Sequence, residues 1–217
     1  DINNASVRKL SNLTMRLSAY NLFVSQALAD LMPKRDNSSV LPCGVITPFF
    51  EDMTKKDARQ KLGLPIDEKF VLFSSTYRWP VKNPALAQQA MALISGTKLI
   101  EFDGYTREQS AWLMRAVDVC LMTSFTEGSP QFIKEAMASN CPIVTTPVGD
   151  TQWVIGNSEG CYFCTYEIQD CAEQIKKALD FSEKYDRTNG RQRIKDLQLD
   201  NETIIDKLIK VYQFVLK

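Results

Sequence analysis

VDVCLMTSFTEGSPQFIKEAMASNCPIVTTPVGD, Val117 to Asp150, is the stretch whose reading decides the fold. It opens on an apolar run, Val117 to Met122, closed by turn residues at both ends, as a buried strand is. The chain turns at Glu127-Gly128 and a helix begins: Ser129 suits the N-cap, and Pro130 suits the first helical position, where a missing N–H costs nothing. The helix is expected to reach about Ser139 and to end at Asn140. A second short strand, Pro142 to Thr146, follows directly. Strand, helix and strand on such tight connections form a parallel crossover of a doubly wound α/β sheet. Ligands of such sheets bind outside the carboxyl ends of the strands, which is where Ser124 to Pro130 falls.

The residues there suit a particular guest. A helix start presents free N–H groups and a positive dipole end, and Gly128 lets the backbone approach a ligand closely, so an anion such as a diphosphate fits. Two carboxylates bracket the position. Glu127 sits on the loop at the strand end and Glu135 lies in the second helical turn, where it is placed to accept two hydrogen bonds from a ribose diol. Spacing alone does not distinguish this from charges that merely solvate the surface or complement the helix dipole, in a chain with 24% charged residues.

The whole string does. EGSP-x4-EAMA followed by PIVTTPVGD resembles the signature of the retaining glycosyltransferases of family 4, the glycosyl transferases group 1, with the GT-B fold. The resemblance covers Leu41 to about Leu179 well and the rest more loosely. It implies a C-terminal donor-binding domain in which Glu135 binds the nucleotide ribose and Glu127 lies beside the donor sugar. Backbone groups of the stretch Gly128, Ser129, Pro130, Gln131 and Phe132 then face sugar and phosphates. Beyond the strand Phe70 to Ser75, the loop TYRWPVKNP carries Arg78 and Lys82. Cations at a strand end neutralise a diphosphate, Arg as a fork and Lys as a point charge. The resemblance gives both that role, with Lys82 in Lys-Asn-Pro fitting closely and the interval back to Arg78 one residue shorter than usual. It also implies hexosyl transfer from a nucleotide-diphosphate sugar to a glycan or lipid-linked acceptor, with retention, no metal and no further cofactor. A GT-B sugar-nucleotide epimerase and a non-catalytic nucleotide-binding module are the alternatives. A Rossmann dehydrogenase needs G-x-G-x-x-G after its first strand, and FSSTYRWP is not that.

Working outward, residues 1–39 read as the tail of an N-terminal, acceptor-binding domain. Val7, Leu10, Leu13 and Leu17 have helical spacing, Tyr20 to Ser25 reads as a strand, and Gln26 to Met32 as a helix stopped by Pro33. Residues 40–200 read as the nucleotide-sugar domain. It is entered through VLPCGVITPFF, Val40 to Phe50, which resembles the family's linker strand with Ile46 where an Asp is usual. Thr54 to Leu62 then forms a charged helix stopped at Gly63. Pro84 starts a helix with an apolar face of Leu86, Ala90, Leu93 and Ile94. Thr97 to Phe102 is a strand, and Thr106 with Gln109 makes a capping box. Glu101 and Asp103 read as solvated. The loop Gly149 to Gly156 lines the sugar pocket by resemblance, and Trp153 is read either as shaping it or as core. Residues 201–217 read as an amphipathic helix, with Ile204, Ile205, Leu208, Ile209, Tyr212, Val215 and Leu216 on one face, which the resemblance implies packs on the N-terminal domain. With that domain mostly missing, the face of residues 1–39 is expected to pair with another copy or to be mobile, that of this helix to find a substitute partner, such as another copy, and the fragment alone to bind donor without transferring it.

Composition narrows the classes. With 217 residues, 44% of them apolar, the chain can bury one good core. Basic and acidic residues balance at 26 each, so no global field attracts nucleic acid. There is no histidine, which excludes Ser-His-Asp chemistry. The six cysteines are spread through strands and helices and are expected reduced. Cys161-x-x-Cys164 with Cys171 nearby lacks the fourth ligand of a closed zinc site, and GCYFC reads as a half-buried strand. No apolar run approaches the ~20 residues of a spanning helix. The chain is expected in the cytoplasm, at the inner membrane face where the acceptor is lipid-linked.

Overall fold

A computed structural model describes residues 5–46 and 53–216. Its centre is a five-stranded sheet in the order β4-β3-β5-β6-β7, with every neighbouring pair parallel. The strands are β3 (Lys69–Phe73), β4 (Thr97–Glu101), β5 (Val119–Met122), β6 (Ile143–Thr145) and β7 (Cys161–Phe163). This is the doubly wound α/β architecture expected from Val117 to Asp150.

The apolar runs are continuous because both faces of the sheet are covered, and alternate residues serve alternate faces. Phe70 and Leu72 of β3, with Cys120 and Met122 of β5, face α5 (Arg107–Ala116) and α6 (Gln131–Ala138), where Leu113, Met114, Ile133 and Met137 complete one core. Val71, Phe73, Val119 and Leu121 point the other way. They meet Leu86 and Ala90 of α4 (Pro84–Met91) and Ile175 and Leu179 of α8 (Ile168–Tyr185). Below the sheet, α3 (Lys55–Leu62) is capped by Thr54 and stopped by Gly63 at φ 66°. Its Arg59 guanidinium reaches Asp118 at 2.9 Å, and the same carboxylate accepts from the Phe70 N–H at 2.8 Å. The capping box of Thr106 and Gln109 is present in full at the start of α5.

Several expectations shift. Helix α6 begins one residue later, with Pro130 rather than Ser129 as its N-cap, because the Ser129 hydroxyl is engaged elsewhere. Asn140, at φ 55°, ends it as expected. Val117 and Asp118 precede β5, since Val117 closes α5 and Asp118 turns its side chain to Arg59. Helix α4 stops at Met91, so Leu93 lies past its end and is exposed rather than on the buried face. The linker Val40 to Phe50 does not form one strand. Val40 ends β2 (Ser38–Val40), and Val45 makes an isolated parallel bridge to Asp200; the rest of that reading, from position 47, lies outside the described residues.

Towards the N-terminus, α1 (Ala5–Leu17), β1 (Asn21–Phe23) and α2 (Gln26–Asp30) follow the expected order, and β1 pairs in parallel with β2 as a separate two-stranded sheet. Strand β2 therefore runs across the boundary drawn between positions 39 and 40. After α9 (Gly190–Asp196), the last helix, α10 (Asn201–Val215), buries Ile204 and approaches Gly44 so closely that a Cβ there would lie 2.8 Å from the Asn201 Cα. Further along, its Phe214 ring meets Tyr20 edge-on at 6.0 Å. Among the described residues, no helix is long and apolar enough to cross a membrane.

Candidate functional site

The residues singled out in the sequence gather at the carboxyl ends of the sheet strands, in two groups. The first is built on β5. Thr123, fully buried, donates to the carbonyls of Lys82 at 3.0 Å and Asn83 at 2.9 Å, and the Phe125 N–H donates to the Val81 carbonyl at 2.9 Å. These bonds clamp the loop after β3 to the end of β5. The short helical turn Pro80–Lys82 then closes at Asn83, φ 51°, and holds Lys82 over Glu127, with Nζ to Oε1 at 2.6 Å. Ser124 Oγ donates to the same oxygen at 2.7 Å, and Thr146 Oγ1 donates to the Ser124 carbonyl at 2.7 Å. An ammonium has three protons, so Lys82 can hold Glu127 and still donate to an incoming anion.

Arg78 does not join this group. It is 83% exposed and pairs with Asp103, Nη2 to Oδ2 at 3.4 Å. The Glu101 carboxylate accepts the Tyr77 N–H at 2.9 Å. Glu101 and Asp103 are therefore not merely solvated; they hold the base and the tip of the loop that carries Arg78.

The second group surrounds Glu135. It opens onto a cavity of about 610 Å³ lined by Phe102, Arg107, Ser110, Ser129, Gln131 and Glu135, with residues of α10 and of positions 43–46 on the far side. That volume lies within the range of small-molecule sites. Burial pushes the Glu135 carboxyl up, with Arg107 and a hydrogen bond from Gln131 opposing. The Gln131 amide donates to the Gly44 carbonyl at 2.9 Å. The Phe132 ring is buried and packs edge-on against Phe102 at 5.6 Å.

Between the groups lies the start of α6. Ser129 Oγ donates to Asp150 Oδ2 at 2.6 Å, while Oδ1 of Asp150 is buried and has no hydrogen-bond partner among the described residues. Burial pushes the Asp150 carboxyl up and pulls the ammonium of nearby Lys134 down; Lys134 donates to the Cys43 carbonyl at 3.2 Å. Gly149 is required by its backbone and its surroundings, while Gly128 lies against a side chain that can yield. A Cβ on Gly128 would sit 3.0 Å from Leu28 of α2, and one on Gly149, at φ 60°, 2.9 Å from the Gly128 carbonyl. Trp153 of α7 (Thr151–Ile155) is half-exposed rather than core. With Asp150, Ser25 and Pro42 it borders a second cavity of about 440 Å³.

Phe102, Arg107 and Asp150 also border these cavities and are not among the site residues that the sequence points to. The available signal for Arg107 is a basic residue inside the capping box Thr106 to Gln109, one position past the N-cap of α5. Nothing in the string pairs Ser129 with Asp150. At the remaining motif, Cys164 and Cys171 are free and buried, and no group of three or more metal-type ligands occurs among the described residues.

A parallel sheet in this order, with its charged groups gathered where a glycine loop meets a helix start, has the Rossmann-like fold of GT-B proteins. Sucrose-phosphate synthase (tll1590) from Thermosynechococcus elongatus superposes with a TM-score of 0.77 at 22% identity, over 90% of this chain and 58% of that one. Anabaena Alr3699/HepE in complex with UDP and glucose does so at 0.74 and 18%, over 95% and 66%. The profile of the family Glycosyl transferases group 1 matches residues 68–180, more than half of the chain, and the chain belongs to that family. D-inositol 3-phosphate glycosyltransferase of Mycolicibacterium smegmatis is 24% identical over 177 residues, 67% of this chain and 41% of that protein. The chain thus spans about two fifths of the length of the curated relatives it matches.

Proposed function

We propose that this chain is the donor-binding part of a glycosyltransferase that moves a hexosyl unit from a nucleotide-diphosphate sugar to a glycan or lipid-linked acceptor, with retention of configuration. The observation that carries the reading is the Lys82–Glu127 pair at 2.6 Å, set at the strand ends on the same loop-helix unit as the cavity beside Glu135. In this reading the nucleoside occupies that cavity, with its ribose diol on Glu135 and its base towards Phe102 and Arg107. The diphosphate lies at the start of α6, between the N–H groups of Gly128 to Phe132 and Lys82. Arg78 leaves Asp103 to join it, an exposed pair that costs little to break. Lys82 and Arg78 offset the charge that grows on the leaving diphosphate, and Glu127 faces the sugar. Structural neighbours have been solved with UDP and with UDP-glucose, which supports a nucleotide-sugar donor. The reading extends to a cytoplasmic location, at the inner membrane face where the acceptor is lipid-linked. It also has the uncovered faces of α1 and of α10 meet a second copy.

Calorimetric titration with UDP, GDP and ADP tests the donor site. One nucleotide should bind saturably. Glu135→Ala, which removes two hydrogen bonds to the diol, should weaken it by about tenfold or more, and Lys82→Ala should weaken the diphosphate more than the free nucleoside. Affinity unchanged by both substitutions would sink the assignment.

A further inference from the structure

Two aromatic rings beside Glu127 have no part in the donor reading. Phe125, 55% exposed, stands two positions before Glu127, and Tyr166, 47% exposed, follows β7. Their centroids are 5.3 Å apart and their planes are tilted by 35°. The main chain of Phe125 and the ring of Tyr166 are held in place. The Phe125 N–H is bonded to Val81, and the Tyr166 hydroxyl donates to the Ser124 carbonyl at 3.3 Å. Thr165 donates through its N–H and its hydroxyl to Asp170 at 2.6 and 2.8 Å, which fixes the turn that carries Tyr166. Ser124 is the hub: its carbonyl accepts from Tyr166 and its hydroxyl donates to Glu127, so the Tyr166 ring keeps a fixed relation to that carboxylate.

We propose that Phe125 and Tyr166 form a stacking platform for a pyranose ring of the acceptor, and so help to decide which acceptors are used. The inference rests on the donor reading, because it takes Glu127 as the group beside the transferred sugar. Aromatic faces carry partial negative charge, and the C–H face of a pyranose carries partial positive charge and matches a ring in size. Rigid rings order at little entropic cost, which suits a weakly held sugar. An anionic membrane fits less well. Tyr166 is followed by Glu167 and Asp170, and the nearby cations Lys82 and Arg78 are paired with Glu127 and Asp103.

Saturation-transfer NMR on the full chain tests this, with methyl α-D-glucopyranoside and methyl α-D-mannopyranoside as probes and saturating nucleotide present. Ring protons of at least one probe should be saturated by the wild type. The signal should fall about fivefold in Phe125→Ala and in Tyr166→Ala, the loss expected for one aromatic contact. Tyr166→Phe, which keeps the ring, should retain most of it. Nucleotide affinity should be the same in all variants, which also reports that they fold. No saturation of either probe, or equal saturation in the alanine variants, overturns the platform. So does sedimentation with phosphatidylglycerol vesicles that Phe125→Ala abolishes while sugar saturation stays unchanged. A wild type that saturates a probe in a Phe125-dependent way but binds none of the three nucleotides overturns the donor reading and leaves the platform standing.

Discussion

The five-stranded unit and the segment running from α1 to β2 are built from similarly apolar sequence, yet they end in opposite states. In the first, Val71, Leu72, Phe73, Val119, Cys120 and Leu121 are fully buried between helices on both faces. In the second, Leu10, Leu13 and Leu17 of α1 face water, Leu17 at 79% exposure, as do Tyr212, Phe214 and Leu216 at the end of α10. A two-stranded sheet is marginal alone, and a helix of 13 residues gains most of its stability from packing. What holds this segment is the burial of Met15 and Met32, polar ties such as Asn37 to the carbonyls of Ser18 and Ala19 at 3.1 Å, and Leu28 resting on Gly128. The difference teaches that amphipathic pattern specifies an element, while its stability depends on what covers it.

The comparison breaks most readily at its centre. Leu121→Ala opens a cavity between β5 and the helices α4 and α8, and should lower unfolding stability by about 2–5 kcal/mol. Leu13→Ala removes a side chain already in water, and should change it by no more than about 0.5 kcal/mol. Urea midpoints of the two variants measure this directly; similar losses would show that α1 is covered in solution. A charge on the open face sharpens the same point. If a second copy covers α1, sedimentation velocity of the wild type should show a mass that grows with concentration, and the double change Leu13→Glu with Leu17→Glu should shift it towards monomer. A wild type that is monomeric at every concentration removes the self-association.

How much of this was legible in the sequence follows the same division. Strands β3, β5 and β6 were legible because complete burial leaves an uninterrupted apolar run, and the caps at Thr54, Gly63 and Thr106 because each is a local contract between a few neighbouring residues. The site was legible as a set of names but not as an arrangement. Lys82 and Glu127 were both singled out, yet nothing local shows that buried Thr123 clamps one loop over the other. Arg107 was passed over because its approach to Glu135 depends on how α5 sits against α6 across one face of the sheet. The error of one residue at the start of α6 has the same origin: Ser129 is a good N-cap by type, but a partner 21 positions away, Asp150, takes its hydroxyl.

The smallest expected effect concerns the cavity itself, and it separates a binding residue from a structural one. Burial holds the Glu135 carboxyl above the ordinary glutamate value of 4.5. In the folded state this group therefore keeps its proton at a pH where the unfolded chain has lost it, and stability falls as pH rises through the interval between the two values. Below that interval the penalty is absent, and above it the penalty is complete. Glu135→Gln removes the titration, so the variant should match the wild type at pH 4 and exceed its melting temperature by about 1–2 °C at pH 7. A glutamate kept for structure would show the reverse, with the variant losing stability at neutral pH. Arg107 makes the test stringent, since its attraction opposes burial. Adding Arg107→Ala to both the wild type and the Glu135→Gln variant should widen the gap between them at pH 7. Under the proposed function the Glu135 carboxylate, which lines the open cavity, serves the nucleotide that enters it, and a nucleotide that binds Glu135→Gln as tightly as the wild type would contradict that.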